Sequence, residues 1–254
     1  MWSRLTPLYY VYMIHSLTST AFLRPIPAAP LSRELSDRLR LAIVRGEFAA
    51  DDRLSELDLC AAFDVSRTPL REALNKLISE GLIVREPNRG VRVAQIDRRT
   101  ASDFYDCRIL IETTAITLAA PHLGSAELEI MSGVLERLLA LEQLPPAPES
   151  RWEWLSLVDD FHNAHRSACP NRELVGLIDA LSARAMRLRV INMNRAGRMS
   201  YSLACHRGIY DALASADAAG AAAHLRDLLE TSRLGLLAAL DEHPEIGAAQ
   251  ELTV

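Results

Sequence analysis

The chain has 254 residues, room for two modest domains that each bury a core, and its net charge of −5 is mild for an ordinary soluble composition. Four distant cysteines, Cys60, Cys107, Cys169 and Cys205, form no C-x-x-C pair, which fits a reducing cytosol and assigns them no zinc or redox role. Lys76 is the only lysine among 28 basic residues, so basic patches must be built of arginine, the better bidentate partner for phosphate and guanine.

Residues 1–30 begin with a moderately apolar run, Leu5 to Leu23, diluted by Pro7, His15 and a Ser-Leu-Thr-Ser-Thr cluster. The expectation is a disordered leader or an over-long start, with a membrane anchor and a partly ordered arm as alternatives. Leu31 to Gly46 reads as a helix, with Ser32 available as its cap and Leu35, Leu39 and Ile43 as its buried stripe. A short amphipathic helix comes next over Ser55 to Phe63, then a tight connection through Asp64-Val65. The second helix of the pair can be capped by Ser66 or Thr68, and Pro69 is tolerated in its first turn, where N–H groups lack intrahelical partners. Leu70, Leu74, Leu77 and Ile78 form its apolar face, while Arg67, Thr68, Arg71 and Asn75 fall on the opposite side. Gly81 stops it. Two β-rich runs, Leu82–Arg85 and Gly90–Ala94, are joined by Glu86-Pro87-Asn88-Arg89.

Helix, turn, helix and hairpin in this order make a winged helix-turn-helix over residues 31–96. Its charge is polarised: Leu31–Val65 holds five basic and eight acidic residues, Ser66–Arg92 six basic and three acidic. Positive charge thus gathers on the second helix and the wing, where phosphates would lie.

The run from Leu54-Ser55-Glu56 through Val65-Ser66-Arg67-Thr68-Pro69-Leu70-Arg71-Glu72-Ala73-Leu74, Glu80-Gly81-Leu82 and Arg89-Gly90 resembles the N-terminal domain of GntR-family transcriptional regulators. The resemblance implies that Ser66, Arg67, Thr68 and Arg71 contact double-stranded operator DNA and that the wing tip, Arg89-Gly90, enters the minor groove. Two departures stand out. Leu57 occupies a position where some members carry a phosphate-binding arginine, and Ala50-Asp51 replaces the usual Pro-Gly turn before the first β-like stretch.

Residues 97–100 form a polar hinge, with Thr100 able to cap the helix that begins there. Beyond it the chain reads as helices near 101–120, 125–142, 150–169, 171–196, 198–215 and 217–240, and residues 243–254 as a frayed tail. The fold class is therefore mostly α: a winged helix-turn-helix followed by an all-α antiparallel helical bundle over 101–242. The helices near 101–120 and 125–142 are candidates for a homodimer face.

Within the bundle, Asp159, His162 and His165 share one helix, and His206 and His224 lie on two others. Inward-facing histidines and a carboxylate from three helices can enclose a divalent metal; isolated histidines are equally ordinary surface or core residues. Arg108 can pair with Glu112 at i+4, or can grip a carboxylate effector in bidentate fashion. Arg187 and Arg189 either help it or are solvated. No nucleophile motif, phosphate loop or complete ligand set points to an enzyme.

Phe161-His162, Asn171-Arg172-Glu173-Leu174, His206-Arg207-Gly208-Ile209, Asp217-Ala218 and Arg108-Ile109-Leu110-Ile111-Glu112 resemble the FCD effector domain of FadR-type GntR regulators. The resemblance implies an effector site at Arg108, His162 and His206, and a divalent metal (Zn, Ni or Mn) held in many members by one Asp and three His. Here it retains His162 and His206 but places Val158 at the aspartate position and Leu228 at the last histidine position. Asp159 is the nearest substitute ligand, and His224 lies one turn before Leu228; the alternative is a metal-free pocket. The expected function is a cytoplasmic, homodimeric regulator, a repressor, whose operator binding is controlled by a small carboxylate effector and which has no membrane partner. The alternative is a constitutive or partner-controlled regulator that has lost effector and metal binding.

Overall fold

Helix α1, Pro30–Arg45, opens the N-terminal domain in a computed structural model that describes residues 30–87, 90–144, 148–193 and 197–243. The expectations for residues 1–29, for the tail from Pro244 and for Arg89 lie outside these. Because α1 starts at Pro30, where a missing N–H costs nothing, Ser32 lies inside the first turn instead of capping it. Leu35, Leu39 and Ile43 form its buried stripe.

Helix α2, Glu56–Phe63, is capped by Ser55, whose Oγ accepts from the Asp58 N–H at 3.3 Å. Asp64 then turns the chain in a left-handed conformation, φ 51°, and α3 runs Arg67–Ser79. Leu70, Leu74 and Leu77 of α3 are fully buried, each contributing roughly 1.5–3 kcal/mol by leaving water. Gly81 ends the helix with φ 69°, its N–H donating to Ile78 O at 2.9 Å and the Leu82 N–H to Leu77 O at 3.1 Å.

The wing is a three-stranded antiparallel sheet in the order β1 (Arg53–Leu54), β3 (Gly90–Val93), β2 (Ile83–Glu86). Leu54 pairs with Val91, and Ile83 with Val93. Val91 and Val93 point into the core formed by Leu39, Ile43, Leu59, Leu70, Leu74 and Leu77. One residue of that core, Ala183, comes from the second domain.

Helix α4, Arg98–Ala119, begins the second domain directly. The expected hinge is thus its first turn, and the cap is Asp97, not Thr100: Asp97 Oδ1 accepts from the Thr100 N–H at 2.9 Å. A short 3-10 turn, Ala120–His122, leads to α5 (Ser125–Glu142), α6 (Pro148–Ser167), α7 (Arg172–Asn192), α8 (Arg198–Ala214) and α9 (Ala218–Glu242). Helix α9 packs along α4 and α8, α5 lies on α6 and α8, and α7 is the helix that also meets α1 of the first domain. Trp154, Tyr105, Phe161, Met131 and Ile116 fill the centre. The architecture is a small winged helix-turn-helix followed by an all-α bundle.

Ala216, just past the end of α8, is exposed yet holds φ 59°, where a Cβ is crowded by its own backbone. An Ala216→Gly variant is expected to gain about 0.5–1 kcal/mol, raising the melting temperature by about 1–4 °C. A lower melting temperature would contradict the strain.

Candidate functional site

Two places gather the residues that the sequence singled out. The first is the outer face of α3. Ser66 is the N-cap, with extended backbone, and its hydroxyl makes no capping bond. Ser66, Arg67, Thr68 and Arg71 are all exposed, while the leucine face of the same helix is buried. The helix N-terminus adds the positive end of its dipole to two guanidinium groups. Arg71 is oriented by α2: its Nε donates to Glu56 Oε2 at 2.8 Å. The other Glu56 oxygen lies 3.9 Å from Arg85 of β2. Glu56 therefore links the helix pair to the wing, a role that nothing in the sequence order marked. Gly90, the described residue of the wing tip, is exposed with φ 82°. Asp51, in the departure from the Pro-Gly turn, takes φ 68°, and Arg92 donates to its carbonyl at 2.7 Å. Leu57 is 68% exposed, so the family's arginine position faces solvent here too.

The second surface lies inside the helical domain, where a cavity of about 30 Å³ is enclosed by α4, α6, α7, α8 and α9. That is room for a carboxylate group or about two waters. The structure brings Arg108, His162 and His206 to its wall together, with Arg189, Arg198 and Trp154.

The histidines form a directional chain. His206 Nδ1 lies 2.6 Å from the Ser202 carbonyl, so that nitrogen carries the proton. His206 Nε2 must then accept from His162 Nε2 at 3.3 Å, and His162 Nδ1 from His165 Nε2 at 3.1 Å. The chain ends on His165 Nδ1, a buried acceptor without a hydrogen-bond partner. Burial holds all three neutral. It pushes His206 down to about 4 against the help of its Ser202 bond, and His165 down to about 3 with Arg166 adding to the effect. His162, flanked by the other two, falls well below its ordinary value, again chiefly through burial.

The arginines carry the charge. Arg108 is buried, and its Nε donates to Glu112 at 2.6 Å, so much of its fork is engaged within α4. Arg189 pairs through Nη2 with Asp159 at 2.7 Å, leaving Nε and Nη1 buried without partners. Arg198 donates to Ser232 Oγ at 2.5 Å, and its Nη1 is likewise unmatched, as is Trp154 Nε1. Sequence reading named Arg189 only as an alternative to a solvated residue and passed over Arg198 and Trp154, whose inward direction depends on how α6, α7 and α8 are rotated.

These residues do not fit a metal. Asp159 is one residue round the helix from Val158, so its carboxylate meets Arg189 and does not join His162 and His206. Val158 and Leu228 line the cavity at the two remaining ligand positions. His224 is exposed and packs its ring against Gly208, where an added Cβ would lie 2.7 Å from it. Among the described residues no group of three or more His, Cys, Asp or Glu side chains is placed to hold a metal ion. The expected set His162, His206 and Asp159 is therefore not assembled.

Among the described residues no helix is long and apolar enough to cross a membrane. Comparison with known proteins identifies both domains. Residues 31–93 match the profile of bacterial regulatory proteins of the gntR family, and residues 103–231 match the FCD domain. The chain is 31% identical over 159 residues to the Nta operon transcriptional regulator of Aminobacter aminovorans, covering 63% of this chain and 73% of that one. It is 29% identical to the HTH-type transcriptional repressor GlaR of Escherichia coli K12, over 62% of this chain and 71% of that one. A solved chain from Rhodococcus sp. RHA1, described as a GntR transcriptional regulator, superposes with a TM-score of 0.66 at 28% identity, covering 82% of this chain and 98% of that one. These relatives are transcription regulators, not enzymes. With both domains matched, the chain belongs to the GntR family of transcriptional regulators with an FCD domain.

Proposed function

We propose that this protein is a cytoplasmic, homodimeric repressor that binds a pseudo-palindromic operator and is controlled by a small organic acid in the helical domain. One observation carries the DNA half of this reading: Ser66, Arg67, Thr68 and Arg71 project together from the exposed N-terminal turn of a helix whose other face is buried. Such a turn meets base edges and phosphates, and Arg89 and Gly90 of the wing reach the adjacent minor groove. Two-fold symmetry of the protein calls for matched half-sites. Leu110 and Leu118 of α4 and Ile130 and Leu139 of α5 are exposed large apolar residues that suit the face between two copies. The repressor sign follows the relative named as a repressor.

The unmatched donors of Arg189, Arg198 and Trp154 support the effector half, since each gains a partner when a carboxylate enters. Arg108 adds positive potential, and the neutral His162 and His206 supply hydrogen-bonding edges. Control of DNA binding requires that the acid bind the free and DNA-bound states unequally.

The test is selection of preferred sequences from random duplex DNA by purified protein at about 150 mM salt, followed by a screen of small mono- and dicarboxylates for release of the selected duplex. The expected outcome is an inverted repeat released by at least one acid. Binding without sequence preference would overturn the reading. Sequence-specific binding that no carboxylate relieves would point instead to a constitutive or partner-controlled regulator.

A further inference from the structure

Helix α7 carries two more arginines to a different place. Arg184 and Arg187 line a recess of about 260 Å³ at the seam between the winged domain and the helical domain. Its other walls are Val84 of β2, the connection through Ile96, the start of α4 and Leu188 of α7. Arg187 is only 8% exposed, and its Nη1 donates to the Ala94 carbonyl at 2.7 Å. Arg184 lies over the Phe104 ring at 4.5 Å, its stem occupying the space that a Cβ at Gly81 would need.

The two guanidinium groups differ in their compensation from three other inward arginines; Arg198, bonded to the Ser232 hydroxyl, is the case that resembles them. Arg40, Arg108 and Arg189 each meet a carboxylate, at 2.7, 2.6 and 2.7 Å. Among the described residues, neither Arg184 nor Arg187 has one within ion-pairing distance. A carbonyl and a ring face offset part of the cost of burial; they supply no full negative charge. Burial, with Arg184 adding to it, pushes Arg187 down to about 10, the direction expected where negative charge is short. At the α4 N-terminus the Thr100 N–H is already taken by the Asp97 carboxylate.

We propose that this recess is a second ligand site, taking a small amphiphilic carboxylate whose head lies on Arg184 and Arg187 and whose apolar body rests on Val84, Ile96 and Leu188. The site is distinct from the cavity beside His162 and His206. Because its walls belong to both domains, an occupant sets the angle of the winged head on the helical domain and so gives the protein a second chemical input.

The experiment is thermal melting of the full chain with hexanoate or benzoate, against sodium chloride at equal ionic strength. Wild type and an Arg189→Gln variant should both gain about 3–6 °C at a tenfold excess over Kd. Arg184→Gln and Arg187→Gln should lose that gain. Should Arg187→Gln fail to fold for want of its bond to Ala94, Arg184→Lys keeps the charge and stem without the planar fork, and a several-fold weaker Kd is expected. No saturable gain in wild type overturns the proposal, as does a gain that persists in Arg187→Gln. A gain abolished by Arg189→Gln and kept by Arg184→Gln also overturns it, and places the acid in the helical-domain cavity.

Discussion

The double variant Arg67→Ala, Arg71→Ala is expected to bind the selected operator about 10²–10³-fold more weakly than wild type, with its melting temperature moved by less than about 2 °C. Both side chains are exposed, so their loss removes no core contact. A good bidentate arginine–guanine contact is worth about 1–3 kcal/mol, and a phosphate contact contributes through counterion release. If both residues contact phosphate, the slope of log affinity against log salt should shrink by about two; if both read guanine, sequence preference should relax first. Fluorescence anisotropy of labelled duplex across a salt series separates these, and unchanged affinity in the double variant would remove α3 from the interface. Glu56 gives an opposing arm. It holds Arg71 at 2.8 Å and sits near Arg85, so in free protein its carboxylate occupies donors that phosphate would use. Glu56→Gln weakens that competition and removes a charge facing the duplex, and affinity should rise a few-fold.

The fold was legible wherever periodicity or chain-breaking residues governed it. The leucine stripe of α3 and Gly81 marked a helix and its end, and prolines, Gly124 and the polar connection around Ser215 marked breaks between helices of the bundle to within a few residues. The misses were at caps: Asp97 competes with Thr100 for the same turn, and only backbone geometry decides which accepts. The exposure of Ser66, Arg67, Thr68 and Arg71 was legible because they share one short turn opposite the leucine stripe. The cavity was legible in part, since Arg108, His162 and His206 each sit in a recognisable run. Arg189 and Arg198 were not, because a helix with arginines on several faces does not announce which one turns inward. The metal question turned on a single step along α6. Moving the carboxylate from residue 158 to 159 rotates it by about 100°, enough to exchange a cavity wall for an ion pair with Arg189.

Between pH 7 and pH 5 the protein is expected to lose stability far faster than its carboxylates can explain. His162, His165 and His206 are neutral in the fold, with His206 at about 4 and His165 at about 3, whereas each titrates near its ordinary value of about 6.5 once unfolded. Below that value the unfolded chain binds more protons than the native one, so the free energy of unfolding falls as pH falls. The stability is whole above about pH 6.5 and drains as pH drops toward the folded values. At full slope each group removes about 1.4 kcal/mol per pH unit, so three remove as much as about 6 kcal/mol by pH 5. Native domains hold only about 5–15 kcal/mol in total, which makes acid unfolding near pH 5 the expected result. Asp37 and Asp97, held below the usual carboxylate range by Arg40 and by Thr100, lose their contributions only at lower pH and do not confuse the window. Denaturant unfolding at intervals from pH 7.5 to 5 measures the slope. His165→Gln keeps a donor for His162 Nδ1 while removing one titrating group, so it should reduce the slope by about a third. A flat profile, or an unchanged slope in that variant, would mean that the three imidazoles do not form a buried neutral unit. A steep profile that His165→Gln blunts would also leave the charge of the cavity at neutral pH to its arginines alone, and a site whose donors are positively charged favours an entering acid.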